Sequence, residues 1–220
     1  MSMSRRWCRA MLGGLVQGVA TVSWRGCAIG LVSAAAMLAG GAAPEPDPVP
    51  RRWQLDIDAG PLRFATVDVP GVGPRSYFYL TYRVTNNAGE DLLFAPSFQL
   101  ATQEEVLPSG RKVPMEVTKS LLASCQNDFL QDQIAIIGQL LQGKENARDG
   151  IVIWPANDLN VEDLAIYAAG FSGETATVVS PDTKQKVVLR KTLMLRYKVS
   201  GELAGHEAIP LAEPARWIMR

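Results

Sequence analysis

Histidine is almost missing from this 220-residue sequence, His206 being the only one. Cysteine is scarce as well, limited to Cys8, Cys27 and Cys125, and residues 1–43 contain no Asp or Glu. Zinc and copper sites draw on several nitrogen or sulfur ligands, so a chain this poor in both is not expected to hold such a metal. A serine nucleophile needs a histidine base, which leaves His206 as the sole partner for any triad. No phosphate-binding loop is expected either. Gly71-Val72-Gly73-Pro74 puts proline where a helix N-terminus would be needed, and a turn between strands is predicted there instead.

The stretch without acidic residues reads as an export leader. Arg5, Arg6, Arg9 and Arg25 are its only charges, and the segment from Cys27 to Ala39 is its densest apolar run. A basic start, an apolar run and small residues before a cut are the layout of a secretory signal. Ala39-Gly40-Gly41 and Gly40-Gly41-Ala42 both supply the small residues, placing cleavage near Ala42. The alternative is an uncleaved N-terminal membrane anchor, which needs about 20 apolar residues. A lipoprotein is disfavoured because Cys27 follows Trp24-Arg25-Gly26 rather than an apolar run. The expected location is secreted or periplasmic, or anchored to the membrane through residues 1–43.

Losing the leader's four arginines leaves 18 basic against 22 acidic residues. A mildly acidic domain has no electrostatic reason to bind nucleic acid, and membrane contact is expected only through an uncleaved leader. Cys125 alone remains, so no internal disulfide can form and the fold must rest on its core. Cys125 is expected as a small apolar residue rather than a reactive thiol, since no cationic or imidazole neighbour in sequence would lower its pKa.

Residues 44–50 carry proline at every second position. They are expected as an extended spacer, setting a single domain over residues 51–220. Period-two alternation dominates that domain. Phe78, Leu80, Tyr82 and Val84 define one face of a strand, with Tyr77, Tyr79, Thr81, Arg83 and Thr85 on the solvent side. Further strands are predicted at Phe98–Leu100, from near Lys186 to Val199, at Ile151–Trp154, at Leu164–Ala169, at Leu62–Val69 and at Thr175–Val179. Residues 114–123 favour a helix opened by Pro114. Residues 133–141 have helical spacing, but their β-branched content and Gly138 favour a strand, with residues 142–150 turning the chain back. Seven or eight strands with a short helix in a long connection predict a mainly β fold, an immunoglobulin-like β-sandwich.

Several phrases carry a resemblance. They are Tyr82-Arg83-Val84-Thr85-Asn86, the run from Gln142 to Trp154, Gly170-Phe171-Ser172-Gly173-Glu174, Lys191-Thr192-Leu193 and Arg216-Trp217-Ile218-Met219-Arg220. Together they resemble an uncharacterised family of exported bacterial proteins, over nearly all of residues 51–220. The order of an extended strand ending in Val-Thr-Asn, a Gly-containing turn and Gly-Ile-Val-Ile is similar to small immunoglobulin-like modules of bacterial envelope proteins. The resemblance implies export and a β-sandwich, and it brings no assigned activity and no functional residues.

Few residues suggest chemistry. Gly170-Phe171-Ser172-Gly173-Glu174 is one residue away from a Gly-x-Ser-x-Gly nucleophile elbow, but Glu174 stands where the second glycine belongs and strand follows instead of helix. A turn is the expected role, with His206 in an exposed loop. Asp56, Asp58, Glu162 and Asp163 lack the glycine-punctuated loop of calcium sites. Nothing in the spacing of Glu104-Glu105 or Glu162-Asp163 points to a glycosidase pair. Trp53, Trp154 and Trp217 could stack sugars but are expected in core or edge packing. Lys184, Lys186, Arg190, Lys191, Arg196 and Lys198 form a basic run, expected as a solvated stripe or a protected sheet edge. No catalytic residues, cofactor or metal are therefore assigned. The sequence favours a non-catalytic envelope protein that binds another envelope or extracellular protein, with an envelope hydrolase or a carbohydrate-binding module as alternatives.

Overall fold

The computed structural model describes residues 43–49, 52–156, 163–181, 183–199 and 208–220. In chain order these residues form β1 (Asp56–Val69), β2 (Gly73–Asn86), β3 (Leu92–Phe94), β4 (Ser97–Ala101), β5 (Val106–Pro108), α1 (Met115–Ser124), β6 (Leu130–Gln131), β7 (Gly138–Leu140), β8 (Gly143–Pro155), β9 (Asp163–Ala169), β10 (Thr175–Val179), β11 (Lys186–Lys198), β12 (Ala208–Ile209) and β13 (Arg216–Met219). The mainly β class predicted from alternation is what forms. One sheet runs β12-β1-β2-β8-β6, antiparallel except for β6 beside β8. The other runs β10-β11-β9-β4-β5, with β13 alongside β11. β3 and β7 make a separate pair.

Alternation brings the sheets together. Phe64, Phe78, Leu80 and Trp154 from the first sheet share one buried cluster with Phe98, Leu100, Ile166 and Leu195 from the second. The two-layer, sandwich-like arrangement follows from strands that each bury every second residue. At one end, Phe171 sits between Phe94, Phe98 and Tyr82, with ring centroids 5.2, 5.7 and 5.9 Å away.

A third layer corrects one expectation. Tyr77 and Tyr79 were expected to face solvent, yet both are buried, as are Ile151 and Ile153 across the β2–β8 pair. Val117 and Leu121, one turn apart on α1, pack against them. So the first sheet is covered on both faces where the helix lies, and Phe78 and Tyr79 are core residues of two different layers. The helix begins after Pro114, whose ring fixes φ at −62° and whose ψ of 150° makes it extended, a conformation suited to the residue before a first turn. Glu116 lies in that first turn, where a negative charge complements the helix dipole. Gln126 at a φ of +50° ends it.

Two further expectations are corrected. Residues 133–141 form neither a single strand nor a helix. The Asp132 side chain accepts bonds from the Ile134 and Ala135 amides at 2.7 and 2.9 Å, a local turn that competes with strand pairing. Only Gly138–Leu140 then pairs, against β3. Residues 143–150, expected as a turn, are the first half of β8. Their polar side chains belong to a strand held through Arg148, which donates to the Ile136 and Gln139 carbonyls at 3.0 and 2.7 Å. Among the described residues no helix is long and apolar enough to cross a membrane, and residues 1–42 lie outside them.

Candidate functional site

The serine motif is built for packing. Gly170 has a φ of +90°, and a Cβ there would stand 2.7 Å from the Ala95 carbonyl oxygen. Phe171 fills the aromatic cluster. The Ser172 hydroxyl accepts the Glu174 amide at 3.2 Å, closing a turn. Gly173 leaves room for the Trp53 indole, which a Cβ would meet at 2.6 Å. Both glycines are explained without an elbow. His206 lies outside the described residues, as does Glu162.

Among the described residues the acidic candidates are not brought together as a ligand set. Asp56 accepts from the Asn87 side chain at 2.7 Å, and Asp163 is exposed at the start of β9. The Glu104 and Glu105 amides both donate to the Thr102 hydroxyl in the β4–β5 turn. Among the described residues no three His, Cys, Asp or Glu side chains converge as metal ligands would. Trp154 is fully buried and offers no face to a sugar, while Trp53 and Trp217 are half-buried against the core. In the basic run, Arg190, Arg196 and Lys198 are exposed as expected, but Lys191 is buried. Its ammonium lies 2.9 Å from Glu174 Oε2.

What the fold does assemble lies on the outer face of the first sheet, at the two ends of α1. At the C-terminal end a polar groove of about 390 Å³ is floored by Tyr79 and Thr81 and walled by Arg63, Cys125 and Asn127. On its far wall Arg83 Nε and Nη2 donate to both oxygens of Asp149 at 2.7 and 2.9 Å, and Asn127 adds a third bond at 3.0 Å. Arg83 holds the Asp149 carboxyl below its ordinary range, chiefly through those hydrogen bonds. Burial raises the Cys125 thiol even though the Ser124 hydroxyl and the Arg63 charge pull it down. Arg63 is thus the cationic neighbour that the sequence did not reveal, yet burial dominates and the thiol is not activated. Burial likewise raises the Tyr79 hydroxyl.

At the N-terminal end of the helix an apolar hollow of about 370 Å³ is floored by Ile151 and Ile153 and rimmed by Val113, Met115, Ile134 and Ala135. Met115 is 61% exposed and Ile134 70% exposed. On the same connection Phe129 is 82% exposed. Nothing in the sequence hinted at this hollow: its floor was assigned to the Ile151–Trp154 strand, and of its rim Met115 was assigned to the helix and Ile134 and Ala135 to a strand that does not form. No family model, curated protein or solved structure matches the chain.

Proposed function

We propose that the chain is an exported, non-catalytic protein of the cell envelope or extracellular space that works by binding another protein through the outer face of its first sheet. One observation carries this: large apolar side chains ring the hollow beside α1 and stand open to solvent, with Met115 and Ile134 at its rim. Contiguous exposed apolar surface on a folded domain marks interaction sites. The partner is one that presents an apolar side chain to that hollow. Export rests on the basic, apolar, small-residue layout of residues 1–43.

The strand orders support an immunoglobulin-like arrangement of this module. β1, β2 and β8 neighbour one another in one sheet, and β4, β9 and β11 in the other. Those are the neighbours of strands A, B and E and of strands C, F and G in that fold, with α1 in the long connection before the E-like strand. Modules of this kind commonly serve adhesion and assembly, an analogy from architecture alone.

The test is cross-linked capture by the tagged chain from the envelope fraction of its host, with untagged chain as competitor. A single competed partner, lost when Ile134 is replaced by Asp, supports the reading. A specific partner retained equally by the Ile134→Asp chain would move the binding surface elsewhere. A hydrolytic activity lost on Ser172→Ala in a folded chain would replace this reading with the hydrolase alternative.

A further inference from the structure

We propose that the domain carries a binding site for an extended, proline-punctuated peptide, and that this chain's own residues 45–48 occupy it. The site is built on the ion pair of Lys191 on β11 and Glu174 before β10. Their side chains are only 3% and 12% exposed. A buried pair is a poor source of stability, since apolar replacements of similar volume are often neutral or stabilising. Its presence calls for another role, and the geometry supplies one.

Both members reach the main chain of one residue. Glu174 Oε1 accepts the Asp47 amide at 3.0 Å, and Lys191 Nζ donates to the Asp47 carbonyl at 3.1 Å. Hydrogen bonds with a charged partner are shorter and stronger than neutral ones. Asp47 is flanked by Pro46 and Pro48, which have no N–H to offer, so its amide is the backbone donor at the centre of that run. Pro46 and Asp47 are half-buried, while Pro44, Glu45, Pro48 and Val49 are exposed. The segment is seated at its centre and exposed at its ends.

The surroundings fit the same ligand class. Trp217 and Gln54 join Lys191 and the segment in enclosing a hollow of about 430 Å³. The Lys191 ammonium stands 5.8 Å from the Trp217 ring centroid. Proline-rich segments dock against aromatic-lined grooves because their extended form is already ordered before binding. Both of these bonds engage the main chain of Asp47, so the site reads an extended backbone with an N–H between prolines. Residues 43–49 then act as a tethered ligand, not only as a spacer, and a competing peptide must displace them. This inference uses none of the residues around α1.

The experiment uses the full chain and a fluorescein-labelled peptide with the sequence of residues 43–49, followed by anisotropy. Asp47→Pro in the chain deletes the donated amide, keeps the segment extended and leaves the Lys191–Glu174 pair intact. The wild-type chain, its site filled by a tether at roughly millimolar effective concentration, binds the peptide weakly. The Asp47→Pro chain binds it at least about ten-fold more tightly, and a peptide N-methylated at the Asp position fails on both chains. Absence of binding to a folded Asp47→Pro chain, or equal binding to both chains, overturns the proposal. If Asp47→Pro does not fold, hydrogen exchange at the Asp47 amide of the wild-type chain decides. Strong protection supports a seated segment, and exchange at the rate of a free peptide contradicts it.

Discussion

The two faces of the first sheet are built to different standards. The inner face meets a whole second sheet, and Trp154, Leu80 and Phe64 there are sealed among aromatic and aliphatic neighbours. The outer face meets a single ten-residue helix that buries only Val117 and Leu121. Beyond the helix the same face lies open, apolar at one end and polar at the other. The inner face is closed by the second sheet, its buried side chains packed into one shared cluster. The outer face is only partly matched, and unmatched apolar surface is what a partner can use. Close packing and open surface are thus separated across one sheet.

If that division is right, substitutions in the inner core and in the helix layer will behave differently. Trp154→Ala and Phe171→Ala should each destabilise by about 3–5 kcal/mol in urea unfolding, as large aromatic truncations in a packed core do. Leu121→Ala on the helix should cost about 2 kcal/mol, the low end for a buried leucine, since the outer layer can relax toward solvent. Equal losses at Leu121 and Trp154 would break the comparison, because the helix layer would then be as essential as the sandwich.

Titration sharpens the contrast with smaller effects. Burial raises the Tyr82 hydroxyl on the inner face far above its ordinary value of 10.0. A raised phenol favours the fold fully below pH 10 and loses that contribution as pH climbs further. Tyr82→Phe should therefore flatten the alkaline decline in stability. On the outer face Asp149 is lowered from 3.8 by its bonds to Arg83. Its contribution is present above that value and fades as pH falls through the depressed one. Asp149→Asn should remove only a small, salt-sensitive part of the acid decline, since Arg83 is largely solvated.

Legibility in the sequence follows the same division. Strands whose alternation faces the inner core were readable: the predicted Leu164–Ala169 falls in β9, where Leu164, Ile166 and Ala168 are buried, and the strand predicted from near Lys186 is β11, which buries Leu193, Leu195 and Tyr197. Tyr77 and Tyr79 were not, because alternation says which residues share a face but not whether a helix later covers the second face. Residues 133–141 misled because β-branched composition was weighed above Asp132, whose side chain imposes a turn. Lys191 carried a usable signal. It shares the parity of Leu193, Leu195 and Tyr197, so β11 alone would have turned it inward. The neighbouring basic residues concealed that. Its partner Glu174 and the seated Asp47 are joined to it only by tertiary contact over 17 and 144 residues, a distance no local pattern spans. The reason for the glycines of the elbow-like serine motif, room for Trp53 and a close approach to Ala95, emerges only in three dimensions.

The most direct test of the binding account compares two exposed apolar residues of the surface in the same capture assay. Ile134 rims the hollow beside α1, whereas Leu93, 76% exposed on β3, is not among the residues lining it. Either residue replaced by Asp should leave folding stability within about 0.5 kcal/mol, as for most surface changes. The account predicts that Ile134→Asp weakens partner retention at least about ten-fold, the effect of losing roughly 1.4 kcal/mol of contact, while Leu93→Asp leaves it intact. Retention unchanged by Ile134→Asp, or lost equally with both, would contradict it.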